Sequence, residues 1–107
     1  MQRIKQIDKR IEKIKRELSQ IDEMRPGSIS IQFRDAQTQS YPYHQLNWQS
    51  GTKKRSEYVS RKNLETLTRQ TENYKYFKAL CAEWVDLSVE RSKLSIKLER
   101  EQQRSAS

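Results

Sequence analysis

The apolar residues of the chain form two separate stripes with helical spacing. The first stripe repeats at alternating steps of three and four within residues 2–25; its members are Ile4, Ile7, Ile11, Ile14, Leu18 and Ile21. The second has the same spacing within residues 61–103, with arginine at one step; its members are Phe77, Leu80, Trp84, Leu87, Arg91, Leu94 and Leu98. A seven-residue repeat of this kind leaves one narrow apolar stripe on a helix. Because a lone helix cannot bury its stripe, we predict that the two helices pair as an antiparallel coiled coil.

Between the stripes the period changes from helical to alternating. Pro26 and Gly27 end the first helix, because proline cannot continue the backbone hydrogen bonds. Apolar and polar residues then alternate, which predicts half-buried strands, and Gly51 supplies the positive φ of a tight hairpin. We predict a three-stranded antiparallel meander over residues 28–59. The fold class is therefore α+β: an antiparallel two-helix coiled-coil hairpin with a small three-stranded β-meander inserted between the helices.

These elements predict a single domain over residues 1–107. Its predicted parts are helix 1 at 2–25, the meander at 28–59, helix 2 at 61–103 capped by Ser60, and a frayed tail at 104–107. A step of three separates Tyr74 from Phe77 and breaks the regular repeat. Such a break predicts a change of packing partner, with residues 61–76 against the sheet and 77–103 against the first helix.

Composition favours a helix pair over a globular core. Of the 107 residues, 33% are apolar and 34% are charged, and the net charge is +8. Each helix of a pair needs only one apolar stripe, so this lean composition suffices. Isoleucine at both stripe positions is compatible with more than two strands, so a homodimer of hairpins stays open. The positive charge favours polyanions or acidic proteins as partners.

Residues that could support catalysis or hold a metal are scarce. His44 is the single histidine and has no spaced partner, and the single cysteine, Cys81, excludes an intrachain disulfide and is expected to be a small buried side chain. The two glycines do not form a phosphate loop. We therefore expect no catalytic residue, no metal and no cofactor. The N-terminal residues lack an apolar run, so we expect no membrane segment and a cytoplasmic protein.

Cations and aromatic residues are interleaved in the meander and at the start of the second helix. The candidate nucleic-acid-binding residues are Arg34, Lys53, Lys54, Arg55, Arg61, Lys62, Tyr41, Tyr43 and Trp48. Cations hold phosphate and aromatic rings stack on exposed bases, and a helix N-terminus adds affinity for anions. An alternative interpretation is that the cations only keep a hairpin soluble and protect its edge, while the aromatics cover the helix.

Several short motifs occur in a fixed order along the chain. They are Arg25-Pro-Gly-Ser-Ile, Tyr41-Pro-Tyr-His-Gln-Leu, Gly51-Thr-Lys-Lys-Arg-Ser-Glu-Tyr-Val, Glu72-Asn-Tyr-Lys-Tyr-Phe-Lys-Ala-Leu and Trp84-Val-Asp-Leu-Ser-Val-Glu. Over residues 25–98 the chain resembles a small prokaryotic domain family of unknown function, with a Pro-Gly-Ser opening and an Asn-Tyr-x-x-Phe helix. Members carry a cysteine-containing segment where this chain has residues 35–40, so a metal role does not transfer. The resemblance implies the helix-sheet-helix order and a prokaryotic or mobile-element origin.

Two functional hypotheses follow from the sequence. The first is a non-catalytic accessory protein that binds DNA or RNA through the basic, aromatic hairpin and the N-terminus of the long helix. The second is a protein-interaction module whose helical hairpin docks on a larger nucleic-acid-processing protein or dimerises. Salt separates the two, because phosphate binding weakens steeply as salt rises while apolar docking does not.

Overall fold

The helices and strands follow the predicted order, with a three-stranded sheet between two helices in sequence. The computed structural model describes residues 2–106. Its elements are α1 Gln2–Ser19, β1 Ser28–Asp35, β2 Ser40–Ser50, β3 Lys53–Val59, a short 3-10 helix Arg61–Asn63 and α2 Leu64–Ala106. The α+β class and the antiparallel three-stranded sheet are therefore confirmed.

Contacts group the chain into two compact units. The helix-pair unit comprises residues 2–20 and 77–106, and the sheet unit comprises residues 21–76. The division falls between Tyr76 and Phe77, where the irregular step in the sequence predicts a change of packing partner. That the two units behave as a single domain stays a prediction.

In the helix-pair unit, α1 runs antiparallel to the C-terminal part of α2. Arg3 pairs with Glu90 while Arg10, seven residues later, pairs with Glu83, seven residues earlier. Residue numbers that rise along one helix and fall along the other define the antiparallel sense.

Isoleucines of α1 form the buried centre of this unit. Ile7 and Ile14 have no exposed surface, and Leu80 of α2 is 3% exposed. Burying an isoleucine side chain contributes about 1.5–3 kcal/mol relative to leaving it in water. The remaining apolar members of the two stripes in this unit are half-buried, namely Ile4, Ile11, Leu18, Phe77, Trp84, Leu87, Leu94 and Leu98.

The first helix ends at Ser19, six residues before the predicted end at residue 25. The Ser19 hydroxyl donates to the Arg16 carbonyl at 2.7 Å, and the Gln20 amide donates to the Glu17 carbonyl at 3.1 Å. These bonds to nearby carbonyls close the last turn in place of further helical bonds. Ile21, predicted as the last member of the first stripe, consequently lies outside α1 and belongs to the sheet unit.

Residues 21–27 are non-helical because α2 offers them other hydrogen-bond partners. The Arg25 amide donates to the Gln70 carbonyl at 3.1 Å, and the Gln70 side chain donates to Glu23 at 2.9 Å. The Asn73 side chain donates to the Asp22 carboxylate at 2.7 Å and to the Glu23 carbonyl at 3.0 Å. Within the sheet unit this segment is therefore tied to the N-terminal part of α2.

The sheet is a meander in the order β1-β2-β3, with antiparallel pairing throughout. Ile31 faces His44 across one ladder, and His44 faces Val59 across the other. The β2–β3 turn contains only Gly51 and Thr52, and the φ of Gly51 is +64°, as its position in the sequence predicts. Leu46 and Val59, which are 0% and 2% exposed, mark the face of the sheet that is packed.

Gly27 is required by its backbone conformation and by a close approach to β2. Its φ is +121°, and a Cβ placed there would lie 2.5 Å from the Asn47 carbonyl oxygen. A side chain at this position would therefore collide with the backbone of the central strand. This gives a physical reason for glycine in the Pro-Gly-Ser motif that precedes β1.

The second helix differs from its prediction at both ends. Residues 61–63 form a 3-10 turn, and Ser60 precedes it without a capping hydrogen bond from its side chain, contrary to the expected cap. At the other end α2 continues to Ala106, so residues 104–106 are helical rather than frayed, and Ser107 lies outside the described residues. No helix in residues 2–106 has the combination of length and apolar content needed to cross a membrane.

Candidate nucleic-acid interface

The two faces of the sheet differ sharply in chemistry. Strand alternation and the register place one set of side chains on the face opposite Leu46 and Val59. We call this the open face; its residues are Ser28, Ser30, Gln32, Arg34, Tyr43, Gln45, Asn47, Gln49, Lys54, Ser56 and Tyr58. None of the three strands contributes a carboxylate to it. An anion approaching the open face would therefore meet amides, hydroxyls, aromatic rings and two cations.

Two tyrosines lie together at the middle of the open face. The ring centroids of Tyr43 and Tyr58 are 6.3 Å apart, with an angle of 35° between the ring planes. Tyr43 is half-buried, while Tyr58 is 64% exposed. Base stacking requires an aromatic side chain that solvent can reach, and Tyr58 meets that requirement.

A hydrogen-bond network fixes the amides beside the tyrosines. The Asn47 side chain donates to the Ser30 hydroxyl at 2.8 Å, and the Gln32 side chain donates to the same oxygen at 3.1 Å. Gln45 lies between Asn47 and Tyr43 on β2 and directly opposite Tyr58. Within residues 2–106 its side-chain amide makes no hydrogen bond, so both its donor and its acceptor are available.

Tyr41 lies at the β1–β2 end of the sheet in an unusual conformation. It is 73% exposed, and its φ is +59°, in the left-handed region that a bulky residue rarely adopts. Arg34 of β1 lies at the same end, since its neighbours in the chain pair with Pro42 and Ser40, and it is also exposed. Backbone strain of this kind costs on the order of 1–3 kcal/mol and is concentrated at functional sites in proteins.

The packed face contains three of the predicted site residues, which the structure therefore separates from the others. Trp48, Lys53 and Arg55 alternate onto the side of Leu46. The Arg25 guanidinium lies 5.6 Å from the Trp48 ring centroid and donates to Glu57 at 2.7 Å. Arg25 therefore already contacts one side of the Trp48 ring, and the role of Trp48 in nucleic-acid binding stays a prediction.

The cations near β3 greatly outnumber the carboxylates. Residues 53–62 contain five cations, Lys53, Lys54, Arg55, Arg61 and Lys62, and one carboxylate, Glu57. Arg25 already holds that carboxylate. Among the described residues none of the five makes an ion pair, and all five are exposed. Arg61 and Lys62 lie in the 3-10 helix rather than in the first turn of α2.

In the helix-pair unit, by contrast, arginines are paired across the helices. Arg91, predicted as a charged member of the apolar stripe, donates to both Asp8 carboxylate oxygens, at 2.6 and 3.3 Å. Hydrogen bonds from Arg91 and Arg10 lower the pKa values of Asp8 and Glu83, and a hydrogen bond from Arg3 lowers the pKa of Glu90. These cations are engaged within the fold.

Some of the residues that define these surfaces were absent from the sequence predictions. Gln45 and the Ser30 network follow from the same alternation that predicts the strands, since polar residues at every second position define a solvent face. The spacing of charged residues in the sequence could also have indicated the ion pairs between the two helices. Arg3 and Arg10 are seven residues apart, and so are Glu83 and Glu90, which is the spacing expected for charges that flank paired heptad stripes.

The described residues offer no set of side chains for a metal ion. They contain no group of three or more His, Cys, Asp or Glu side chains that could hold a metal ion. Cys81 is half-buried rather than buried as expected. The segment at residues 35–40 is a turn in which the Asp35 carboxylate accepts from the amides of Gln37 and Thr38. That the protein is not an enzyme stays a prediction.

The fold and the site define a class of protein: a small α+β protein in which one sheet face is rich in aromatic rings and amides and has no carboxylate. The chain belongs to the DUF6788 family, a domain of unknown function, which matches residues 4–69. The match covers most of α1, the sheet and the start of α2, and it overlaps the 25–98 span of the resemblance only in part. Neither the curated proteins nor the solved structures include a match to this chain.

Proposed function

We propose that the protein is a non-catalytic nucleic-acid-binding accessory protein whose open face holds a single strand. The observation that supports this most is the Tyr43–Tyr58 pair, which lies on an exposed sheet face without carboxylates. Small sheets with central aromatic residues bind unpaired bases in several unrelated folds, because every base offers a flat surface for stacking. The helix N-terminus has a smaller role here than the sequence suggests, since a 3-10 turn precedes α2.

Stacking on Tyr58 supplies the first part of the proposed interaction. Tyr58 is 64% exposed, and its ring is supported on one side by the Tyr43 ring, whose centroid lies 6.3 Å away. A supported ring loses little conformational freedom when a base stacks on it. Such stacking contributes about 1–3 kcal/mol per base and is tolerant of base identity.

Cations at the two ends of the open face supply the phosphate contacts. Lys54 lies near the β2–β3 turn, opposite Gln49, and Arg34 lies near the β1–β2 turn, level with Tyr41. Tyr41 and Gln49 are eight residues apart on β2, which is about 26 Å at a rise of about 3.3 Å per residue. A single strand several nucleotides long can therefore cross the tyrosine pair and reach a cation at each end.

Gln45 supplies a group that could contact a base edge. Its amide has no hydrogen-bond partner among the described residues and lies directly across from Tyr58. A glutamine can both donate and accept, so it can bond to the Watson–Crick edge of a base stacked on Tyr58. The proposal therefore includes a modest base preference at one position.

The helix-pair unit serves as the structural and associating part in this proposal. We propose that the apolar stripes of α1 and α2 form an antiparallel coiled coil, which the buried Ile7 and Ile14 and the cross-helix ion pairs support. A cytoplasmic location and a prokaryotic or mobile-element origin remain part of the proposal and rest on composition and on the resemblance.

A protein-interaction module is the second candidate function. Its supporting observation is an exposed apolar face on α2, on which Val85 is 61% exposed. A helix face of that kind fits docking on a larger nucleic-acid-processing protein or on a second copy of the chain.

Fluorescence anisotropy with labelled oligonucleotides tests the proposal. Single-stranded DNA, single-stranded RNA and the matched duplexes are titrated with the full chain at low and at moderate salt. We expect the single strands to bind more tightly than the duplexes and the affinity to fall steeply with salt. Absence of binding to every nucleic acid at low salt would reject the proposal in favour of the protein-interaction module.

Two neighbouring lysines provide a matched pair of variants. Lys54→Glu changes the open face, while Lys53→Glu makes the same charge change on the opposite face one residue away. Both side chains are exposed, so both variants should fold. We expect Lys54→Glu to weaken binding and to lower the salt slope by about one, and Lys53→Glu to have a smaller effect. Equal effects would show that the open face is not the site.

A further inference from the structure

The C-terminal part of α2 has a second apolar face besides the one that α1 covers. Val85, Val89 and Ile96 are 61%, 48% and 49% exposed. Their spacing of four and seven residues places them on one side of the helix. An open groove of about 580 Å³ runs along this face and is lined by Val85, Val89 and the small residues Ser88 and Ser92.

Charges beside this face form a self-complementary pattern. Asp86 and Lys93 are seven residues apart, so they lie on the same edge of the helix two turns from each other. Both are exposed, and within residues 2–106 neither makes an ion pair. The midpoint between them falls next to Val89. Suppose that α2 of a second copy packs antiparallel against this face, with the midpoints between Asp86 and Lys93 aligned. Asp86 of each copy then faces Lys93 of the other copy.

We propose that α2 pairs in antiparallel fashion with α2 of a second copy through this face. Val89 lies near the two-fold axis, Val85 of each copy lies toward Ile96 of the other, and Ser88 and Ser92 allow the helices to approach closely. Two Asp86–Lys93 pairs flank the contact. A symmetric contact uses the same patch on both subunits, and this charge pattern meets that requirement.

The charge pattern favours a second copy over an unrelated acidic or basic partner. A partner surface of one sign would attract one of the two edge charges and repel the other. The contact from Val85 to Ile96 covers about three helical turns, roughly 17 Å, and is smaller than a standard interface of about 800 Å² per partner. The dimer is therefore expected to be weak, with a dissociation constant in the micromolar range.

A charge-swap experiment with the full chain tests this proposal. Sedimentation velocity over a range of concentrations should show wild-type dimers that dissociate on dilution. Asp86→Lys sets two lysines against each other at both flanks of the dimer, and Lys93→Asp sets two carboxylates against each other there. We expect each variant to raise the dissociation constant about tenfold or more.

A mixture of the two single variants provides the decisive test of the antiparallel arrangement. In a parallel arrangement the wild type would set like charges against each other at both flanks, so the mixture would bind more tightly than the wild type. In the antiparallel arrangement the Asp86→Lys copy meets the Lys93→Asp copy with opposite charges at one flank and with the native pair of opposite charges at the other. The mixture should therefore recover dimers of near wild-type affinity. The double variant Asp86→Lys with Lys93→Asp should recover them as well. Failure of both to recover dimers, when the single variants weaken them, overturns the antiparallel arrangement.

A variant at the centre of the face tests the apolar part. Val89→Asp should raise the dissociation constant at least about a hundredfold, because two carboxylates would meet near the axis. Circular dichroism should show unchanged helix content, since Val89 is half exposed in one copy. Wild type that stays monomeric up to about a millimolar concentration overturns the proposal and leaves this face to a different protein.

Discussion

The helix-pair unit and the sheet unit use their arginines and lysines in opposite ways. In the helix-pair unit Arg3, Arg10 and Arg91 each hold a carboxylate of the other helix. In the sheet unit five cations between residues 53 and 62 accompany one carboxylate, and Arg25 already binds it. Charges neutralised within a fold specify how its elements pair, whereas charges left without partners are available to an external anion. The positions of the unpaired cations are therefore more informative about function than the net charge of +8.

The aromatic residues of the two units differ in the same way. The Trp84 ring of the helix pair has the Lys15 ammonium 5.4 Å from its centroid. In the sheet unit the Arg25 guanidinium lies 5.6 Å from the Trp48 ring centroid, whereas Tyr58 is 64% exposed. Because the tyrosines of the open face are bound to no cation of their own chain in the described residues, they are the rings that a base can reach.

The largest effect is expected where the helix pair is buried. Ile14 has no exposed surface, so Ile14→Asp places a charge in an apolar contact between helices. We expect a loss of more than about 4 kcal/mol, enough to strip helicity from the helix-pair unit. Thermal unfolding followed by circular dichroism measures it.

The matched control for Ile14 lies in the sheet unit. Ile31 is 58% exposed, so Ile31→Asp should cost only about 1 kcal/mol. Similar losses for the two isoleucines would contradict the assignment of Ile14 to a buried helix contact.

A smaller effect is expected on the open face, and it should appear in binding rather than stability. Tyr58→Leu removes the ring while keeping an apolar side chain, and Tyr58→Phe keeps the ring. We expect the leucine variant to lose about 1–3 kcal/mol of affinity for a single strand and the phenylalanine variant to stay close to wild type. Anisotropy titrations compare them, and equal affinities for leucine and wild type would remove Tyr58 from the site.

Acid should weaken the helix pair through its carboxylates. Hydrogen bonds from arginine lower the pKa values of Asp8, Glu83 and Glu90 in the folded state. A carboxylate with a lowered pKa contributes stability above its ordinary value, 3.8 for Asp and 4.5 for Glu, and loses it as the pH falls through the folded pKa. The melting temperature of the helices should therefore fall below about pH 4.5.

Removing two of these carboxylates isolates their contribution. The double variant Glu83→Gln with Glu90→Gln should have a lower melting temperature than wild type near neutral pH and a shallower decline in acid. An acid decline as steep as that of wild type would show that these ion pairs do not control the pH dependence.

Local sequence patterns predicted the elements because each is fixed by residues close in sequence. The three-four repeat indicates both helices, alternation indicates the strands, and Gly51 marks the hairpin turn that is observed. The irregular step before Phe77 also coincides with the division of α2 between the two units.

Features that depend on distant residues could not be predicted in this way. The stripe continues through Ile21, yet α1 stops at Ser19 because Gln70 and Asn73 of α2 bind the following segment. Likewise the sequence places Trp48 among the site aromatics, and only the fold brings Arg25 over its ring. The sequence predicted a site from aromatic residues that lie near cations in the chain. The fold instead groups the aromatic residues of the candidate site on one sheet face without carboxylates.

Amide chemical-shift mapping by NMR shows whether a single strand binds the open face of the sheet. The labelled full chain is titrated with a short single-stranded oligonucleotide at low salt, and shifts are followed residue by residue. We expect the largest changes in β2 and β3 around Tyr43, Lys54 and Tyr58, with little change in α1 and in residues 77–106 of α2. Changes confined to the helix-pair unit, or no changes at all, would contradict this expectation.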